Sequence, residues 1–328
     1  MNPFDYQRAS DVEHALQLAR RPDVRFIAGG TNLLDLIKAG IERPRHLIDI
    51  SRLPIGTICE LPDGGLRIGA TVSNADAANH ALVRERYPLL QAALLSGASP
   101  QLRNMATVGG NLMQRTRCHY FYDTGFAACN KRDPGSGCGA RDGINRIHAI
   151  VGASEHCIAV NPSDMNVALA ALDATVVVLG ADGVRRIALV DFHRLPGDTP
   201  QRDTVLEDGE LIAAVELPHV PCQKHWHYLK VRDRASFAFA LVSVAVALEM
   251  EGDVVRHARL ALGGVAHKPW RVPAAEQVLR DRRLDADAAH EAAALLLQGA
   301  RAYPHNAFKI RMAERAVVRA LAVAGGRT

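Results

Sequence analysis

The chain has 328 residues, of which 48% are hydrophobic, and a formal net charge of only +4. This length predicts about two or three domains with packed cores. The basic residues are dispersed and form no stripe with interleaved aromatic residues, so nucleic acid is not an expected partner. No run of eighteen apolar residues occurs, which excludes a membrane-spanning helix. Six cysteines are too few for a disulfide scaffold of this size and favour a reducing compartment.

The first fifty-odd residues predict a β–α–β unit. Ser10 and Glu13 match a capping box at the start of a first helix. The segment VRFIA predicts a strand, NLLDLIKAG predicts a short helix that ends at Gly40, and HLIDI predicts a second strand. Two adjacent glycines separate the first strand from the helix, which places a glycine turn at that junction.

The middle region predicts helices and an antiparallel sheet. It contains the strand LRIGA, a long helix from Asn74 to Leu95 and the glycine turn TVGGN. After a long polar segment, Ser163 is expected to cap a helix, and TVVVLG and VRRIALV are expected to pair as a hairpin across the turn ADG. The strand LIAAVELP ends the region at a proline.

The last region predicts a sheet followed by helices. Apolar residues alternate on one face of a strand, which is expected to pair across the turn EGD with VVRHARLALGG. The alternating residues are Val242, Val244, Val246, Leu248 and Met250. Three helical segments follow, so strands and helices are segregated as in an α+β fold.

Two Gly-Gly turns, AGGTNLL and TVGGN, are candidates for an anion-binding site. Glycine lets the backbone approach a ligand closely, and the free N–H groups at the start of a helix bind phosphate. Neither turn matches G-x-G-x-x-G or G-x-x-x-x-G-K-[ST], so neither a Rossmann fingerprint nor a P-loop is predicted. Together the turns are suited to hold both phosphates of a dinucleotide, whereas either one alone is also typical of an ordinary tight turn.

Four cysteines lie in or directly after one polar, glycine-rich stretch, with the spacing C-x10-C-x8-C-x18-C. They are Cys118, Cys129, Cys138 and Cys157. The close C-x2-C pairs of zinc ribbons are missing. A long irregular loop inside a domain is usually functional, and four thiolates match the ligand set of an iron–sulfur cluster. A bound metal centre would also supply ordering energy that the sparse apolar residues of the loop do not.

Two alternatives to a cluster remain at this point. One is a zinc site in which a nearby histidine replaces a cysteine, the candidates being His119, His148 and His156. The other is a set of unrelated buried thiols, which is the expectation for Cys59 and Cys222.

Four phrases of the chain occur in the same order in a known family: FIAGGTNLLDLIK, RNMATVGGNL, NPSDMNVALAALDA and ALGGVAHKPWR. The chain thereby resembles, over nearly its whole length, the FAD-binding subunits of the xanthine dehydrogenase and aldehyde oxidoreductase family of molybdenum enzymes. The inserted residues, about 112–162, are similar to the insert of the periplasmic aldehyde oxidoreductase type, which carries an extra [4Fe–4S] cluster. The flavin subunit of 4-hydroxybenzoyl-CoA reductase has a comparable cysteine insert and is the nearest alternative.

The resemblance implies an α+β chain of three parts. Residues 1–55 and 56–221 would form the two subdomains of a vanillyl-alcohol-oxidase-like (PCMH-like) FAD-binding fold, and residues 222–328 a C-terminal domain of a sheet and helices. The implied FAD-binding residues are Phe26, Ile27, Ala28, Gly29, Gly30, Thr31, Asn32, Leu33, Leu34, Thr107, Gly109, Gly110, Asn111, Asp164, Ile212 and Lys230. The implied ligands of the [4Fe–4S] cluster are Cys118, Cys129, Cys138 and Cys157.

The resemblance also implies a function in electron transfer. An aldehyde or related substrate would be oxidised on a molybdopterin-binding subunit, and electrons would pass through a [2Fe–2S] subunit to FAD and then to an external acceptor. The implied assembly is a heterotrimer or a dimer of heterotrimers. Gly97 stands where animal xanthine dehydrogenases have an aromatic residue over the flavin, so the resemblance does not imply NAD+ as the acceptor. The turn AGGTNLL lacks a His or Cys for covalent attachment, so the FAD is expected to be non-covalent.

The residues themselves agree with a cofactor-binding function. No Ser-His-Asp set and no H-E-x-x-H motif is found, so the chain is expected to hold redox cofactors, not to activate a substrate with its side chains. A xanthine dehydrogenase subunit and a zinc-stabilised binding module without a redox role are the remaining hypotheses. The N-terminus has no secretory signal, which predicts a cytoplasmic chain, or a periplasmic one if a signal-bearing partner is exported with it.

Overall fold

Three β-sheets follow one another along the described part of the chain, residues 2–219 and 224–327 of a computed structural model. The first sheet is parallel, and the second and third are antiparallel. This mixed architecture, with most of the C-terminal helices after the last long strands, confirms the α+β expectation.

The first sheet has three parallel strands in the order β1-β3-β2. Its elements are β1 (Asp5–Arg8), α1 (Val12–Leu18), β2 (Val24–Ile27), α2 (Leu33–Lys38) and β3 (His46–Asp49). The predicted β–α–β unit is β2–α2–β3, and its glycine turn enters α2. The strand β1 was not predicted, because all four of its side chains are exposed and show no alternation. The predicted capping box is wrong: Asp11 caps α1 by accepting a hydrogen bond from His14 N at 2.8 Å.

The second sheet has five strands in the order β4-β5-β8-β6-β7. The elements up to the insert are β4 (Ile58–Glu60), β5 (Leu66–Gly69), α3 (Asn74–Asn79), α4 (Ala81–Arg86), α5 (Pro88–Ser96), α6 (Pro100–Met105) and α7 (Val108–Leu112). The insert adds α8 (His119–Tyr122). The remaining elements are α9 (Asp164–Ala171), β6 (Thr175–Gly180), β7 (Gly183–Ala188), α10 (Leu189–Phe192) and β8 (Leu211–Leu217).

The long helix predicted from Asn74 to Leu95 is wrong. The chain forms three short helices there, since His80 is extended and Pro88 starts a new helix. Proline lacks the N–H that continues a helix and disfavours helical geometry in the residue before it. The predicted cap and hairpin are confirmed: Ser163 Oγ accepts from Asn166 N at 3.1 Å, and β6 pairs with β7.

The third sheet has four strands in the order β12-β11-β10-β9. Its elements are β9 (His225–Val231), β10 (Val242–Glu251), β11 (Val254–Gly263), α11 (Pro273–Gln277), β12 (Arg282–Arg283), α12 (Ala286–Leu296) and α13 (Phe308–Ala324). The alternating residues of β10 share a core with α12 and α13, as the pattern predicts. Within the described ranges, no helix is long and apolar enough to cross a membrane.

The cysteine insert, residues 112–162, packs between the other parts of the chain. Its small core joins Cys118, Phe121, Cys129 and Ile158 to Leu36 of α2, so the insert has more apolar packing than the sequence suggested. Two other residues of the insert, Ile150 and Val151, join the core of the third sheet. The insert therefore contacts both the first α/β unit and the C-terminal sheet.

Candidate cofactor sites

A cavity of about 640 Å³ opens between the two glycine turns and the segment 201–212. Its volume lies within the range of ordinary cofactor pockets. Twelve of the residues implied to bind FAD line it: Phe26, Ile27, Ala28, Gly29, Gly30, Thr31, Asn32, Leu33, Thr107, Gly109, Gly110 and Ile212. The turns are about eighty residues apart in the chain, and the fold brings them to one cavity. Four implied residues are not in its lining: Leu34, Asn111, Asp164 and Lys230.

Within the described chain, the first turn leaves backbone N–H groups unpaired beside the cavity. A Cβ on Gly29 would lie 1.7 Å from Met105 O, so only glycine lets the turn pack against the end of α6. Gly30 has φ +71°, a conformation that glycine adopts without strain. Among the described residues, the N–H groups of Thr31, Asn32 and Leu33 have no hydrogen-bond partner in the protein. These donors at the start of α2 are suited to an anionic group such as phosphate.

The second turn would let a ligand come close to its backbone, but it offers few free donors. Most of its N–H groups already donate hydrogen bonds to protein atoms. Gly109 N donates to Ala70 O at 2.8 Å, and Gly110 N donates to Thr107 Oγ1 at 3.2 Å. A Cβ on Gly109 would lie 3.0 Å from Ala70 Cβ, whereas a Cβ on Gly110 would meet only Thr107 Oγ1, at 3.1 Å. Gly109 is therefore required by packing inside the protein, and Gly110 leaves space at the cavity.

A buried polar atom in the cavity wall also fits a ligand. His193 lines the cavity and is 2% exposed, and its Nδ1 has no partner among the described residues. Its Nε2 lies 2.9 Å from Leu112 O. Buried polar atoms in proteins are normally hydrogen-bonded, so an unpaired one beside a cavity is consistent with a partner supplied by a bound molecule. The free N–H groups, the glycine surface and this nitrogen together fit FAD.

Asp164 and Lys230 form a buried ion pair next to the second turn. Lys230 Nζ lies 2.7 Å from Asp164 Oδ2 and donates to Ser96 O at 2.9 Å, and both side chains are about 5% exposed. Tyr228 donates to Asp164 Oδ1 at 2.6 Å. Burial and the adjacent carboxylate raise the pKa of Tyr228 well above its usual value, so it remains a donor. This pair is connected to the turn because Ser163 donates to Asn111 Oδ1 at 2.8 Å.

Two carboxylates and one cation in the cavity wall, and a second cation that pairs with one of these carboxylates, were not found from the sequence. The guanidinium of Arg115 lies 2.6 Å from Glu42 Oε1 and 2.8 Å from Asp203 Oδ2. All three residues line the cavity. Lys131 Nζ, whose side chain is 1% exposed, lies 2.5 Å from Asp203. Burial raises the pKa of Asp203, but Lys131 and Arg115 outweigh this effect and hold it below its usual value. These partners are 72 to 88 residues apart in sequence, so no local pattern marks them.

The four cysteines of the insert lie near one another, and Cys118, Cys129 and Cys138 belong to its core. Cys118, Cys129 and Cys157 are buried at 6–7% exposure, and Cys138 is partly buried and bridges to Cys129 in an antiparallel pair. Burial, with a smaller contribution from neighbouring cysteines, raises the pKa of Cys118 to about 12 and that of Cys157 to about 11. Backbone N–H groups of Ala140 and Ile158 point at Cys138 and oppose its raised pKa. The thiols are therefore close enough to affect one another's ionisation.

Four thiols are the kind of donor set that binds an iron–sulfur cluster. Buried thiols become thiolates only when a metal or another cation compensates the charge. In the described parts of the chain, no three or more His, Cys, Asp or Glu side chains are close enough to hold a single metal ion. His148 Nε2 lies 3.1 Å from Cys118 Sγ, while burial lowers the pKa of His148 to about 4. Cys59 is exposed in β4, apart from this set, and Cys222 lies outside the described residues.

Two buried histidines near the cavity predict lower stability at acid pH. Burial lowers the pKa of His193 and of His267 from 6.5 to about 4. As the pH falls, the unfolded state binds a proton at each of these histidines before the folded state does. The free energy of unfolding therefore keeps its full value above pH 6.5 and falls as the pH approaches 4. The expected loss is at most about 3 kcal/mol per histidine.

Urea unfolding of the protein at several pH values between about 7 and 4.5 measures this effect. The variant His267→Gln should lose less stability over this range, whereas His290→Gln, on the exposed surface of α12, should behave as the wild type. Equal pH dependence in His267→Gln and the wild type would contradict the assignment.

Comparison with known proteins agrees with the cavity and with the order of the sheets. Residues 2–220 match the family described as "FAD binding domain in molybdopterin dehydrogenase", and residues 227–324 match "CO dehydrogenase flavoprotein C-terminal domain". The aldehyde oxidoreductase FAD-binding subunit PaoB of Escherichia coli (strain K12) is 52% identical over 326 residues, covering 99% of both chains. The glyceraldehyde dehydrogenase medium chain of Sulfolobus acidocaldarius is 30% identical over 285 residues, covering 87% of this chain and 83% of that one.

Solved structures show the same fold. A chain of the carbon monoxide dehydrogenase from Hydrogenophaga pseudoflava superposes with a TM-score of 0.77 at 26% identity, covering 99% of this chain and 98% of that one. The family match includes the parallel unit, both glycine turns and the cavity between them. The chain therefore belongs to the FAD-binding subunits of the xanthine dehydrogenase and aldehyde oxidoreductase family of molybdenum hydroxylases.

Proposed function

We propose that this chain carries FAD and a [4Fe–4S] cluster and transfers electrons within an aldehyde-oxidising molybdenum hydroxylase. The observation that carries the proposal is the cavity in which both glycine turns meet, with unpaired N–H groups on one side and a side-chain-free surface on the other. The relatives named as aldehyde oxidoreductase and glyceraldehyde dehydrogenase components support an aldehyde as the substrate class.

The residues that would hold FAD divide into two groups. Those of the cavity would bind its phosphates and adjacent atoms: the N–H groups of Thr31, Asn32 and Leu33 donate, and Gly110 permits close contact. Asp164 and Lys230 lie outside the cavity lining and would contact the flavin end of FAD from the side of Gly97. A Cβ built on Gly97 would lie 3.6 Å from Asp164 Oδ2. Bound FAD supplies the chemistry of accepting electrons and releasing them to another acceptor.

The insert would hold the [4Fe–4S] cluster through Cys118, Cys129, Cys138 and Cys157. Four cysteine thiolates are the usual ligands of such a cluster. The N–H groups that point at Cys118, Cys138 and Cys157 stabilise negative charge on sulfur, and Lys131 lowers the pKa of Cys157 against the effect of burial. Such donors help to set the reduction potential of a cluster.

This chain would act together with partner subunits. The relatives are named as a subunit or a medium chain, which describes parts of larger enzymes. We therefore propose a [2Fe–2S] subunit and a molybdopterin-binding subunit as partners, in a heterotrimer or a dimer of heterotrimers. An external acceptor would take the electrons from FAD, and Gly97 has no side chain to cover the flavin at the position next to Asp164.

Co-expression with the two proposed partner subunits tests the function. The chain should elute with both partners in size-exclusion chromatography. Adding an aldehyde in the absence of molecular oxygen should bleach the flavin absorbance. Exchanging Asp164 for Asn should slow the bleaching or weaken FAD binding, whereas Asp182→Asn, in the turn between β6 and β7, should change neither. Elution of this chain alone under all conditions, or zinc without flavin in the purified protein, would contradict the proposal.

A further inference from the structure

The insert supplies two cations that pair with carboxylates in the wall of the FAD cavity. Arg115, at the beginning of the insert, donates to Glu42 at 2.6 Å and to Asp203 at 2.8 Å. Lys131, within the insert, donates to Asp203 at 2.5 Å and to Pro200 O at 2.6 Å. Glu42 and Asp203 both line the cavity. The segment around Asp203 is therefore held in place from the side of the insert.

Lys131 depends on the folded insert for its position. It follows Cys129 by two residues, and its side chain is 1% exposed. Asp203 is its only carboxylate partner among the residues that the structure describes. A buried cation separated from its partner is strongly unfavourable, so unfolding of the insert would move Lys131 into solvent and leave Asp203 without this partner.

A third cation of the insert contacts the first glycine turn itself. Arg117, one residue before Cys118, donates to the side chains of Asn32 and Tyr122. Its guanidinium also lies 5.1 Å from the centre of the Phe239 ring, in the loop between β9 and β10. Asn32 lines the cavity beside the unpaired N–H groups of the turn. The residues that flank two proposed cluster ligands thus hold two separate parts of the FAD site.

We propose that the cluster and FAD are coupled: cluster binding in the insert raises the affinity of the cavity for FAD, and bound FAD stabilises the cluster in return. The coupling rests on the proposed function, because it requires the cluster to be present. The physical link is the insert, which the cluster orders and which positions Asp203 through Lys131 and Asn32 through Arg117. Coupling between two binding sites is reciprocal, and its usual size is about 5- to 150-fold in affinity.

The first test removes the cluster from the purified full-length protein. FAD release after dilution is followed by the rise in free-flavin fluorescence, before and after iron removal with 2,2′-bipyridyl under reducing conditions. We expect the dissociation constant for FAD to be about tenfold lower in the iron-loaded protein than in the iron-depleted one. Reconstitution with iron and sulfide should restore the original value.

The second test breaks the link while all four cysteines remain. Lys131→Met should keep its iron and bind FAD about tenfold more weakly, whereas Lys131→Arg, which keeps the cation, should restore most of the affinity. Arg146→Met is the matched control, because Arg146 also belongs to the insert but pairs with Asp233, away from the cavity lining. It should bind FAD as the wild type does.

The outcomes separate the coupling from the cluster assignment. A wild-type protein without iron would overturn both. An iron-loaded wild type that binds FAD equally well before and after iron removal would overturn the coupling alone. If Lys131→Met fails to fold, the iron-removal experiment on the wild type decides by itself, because it requires no substitution.

Discussion

Replacing Gly110 with valine is expected to remove FAD from the protein and leave the fold intact. A Cβ at this position meets only Thr107 Oγ1, at 3.1 Å, so the added methyl groups extend into space that the cavity provides. Overpacking of this kind typically costs about 1–3 kcal/mol, which corresponds to a roughly 5- to 150-fold weaker complex. The FAD content after acid precipitation and the dissociation constant for added FAD measure the effect.

Gly109→Val is the matched control for this prediction. A Cβ there would lie 3.0 Å from Ala70 Cβ and 3.2 Å from Ala70 O, so the clash lies within the protein. We expect Gly109→Val to lower the unfolding temperature of the FAD-free protein, and Gly110→Val to leave it close to that of FAD-free wild type. The comparison uses FAD-free protein because a bound ligand itself raises stability. Normal FAD affinity in Gly110→Val would show that the second turn does not face the cofactor.

Replacing any one of the four insert cysteines with serine is expected to remove most of the iron. A cluster of about four iron atoms is held by four thiolates, and its loss would leave the insert with only its small core. Iron should fall from about four atoms per chain towards zero, and limited proteolysis should cut within residues 112–162. Iron analysis and mass spectrometry of the fragments measure both effects.

Cys59→Ser is the control for the cysteine variants. Cys59 is exposed in β4 and is not part of the insert core. The iron content of the Cys59→Ser protein should therefore equal that of the wild type. Cys138 is the most informative position, since it is the one of the four insert cysteines that is only partly buried. Iron content that is unchanged in Cys138→Ser, or zinc in place of iron in the wild type, would refute the cluster.

The long alternating strands were predicted correctly because their pattern is local. One face of β10 carries large apolar residues at every second position, and the partner strand follows after a short turn, so the sequence itself indicates the face that packs on the C-terminal helices. The break of the helix at Pro88 was also visible in the sequence and was missed, because the apolar spacing on both sides resembles one helix. The capping box failed by one residue, since Ser10 and Asp11 are both good caps.

The candidate FAD site was partly predictable for the same reason. Glycine marks the two turns, and the family's phrases surround them, so twelve implied residues were found in the cavity lining. No such local signal identifies Asp164 and Lys230 as an ion pair, because the two residues are 66 positions apart. Their contact with FAD remains a prediction.

The amino-acid sequence by itself determined the α+β organisation, the two glycine turns and the cysteine set, because each depends on residue type at short range: glycine at a turn, alternation along a strand, thiols in one loop. Only the tertiary structure decided that Asp203 forms ion pairs with Arg115 and Lys131 and lies in the cavity wall. Charged residues in polar loops look alike in sequence, and ion pairs form between whichever side chains the fold brings within about 4 Å. The connection between the cysteine insert and the cavity therefore follows from how the chain packs, and it has no counterpart in any local sequence pattern.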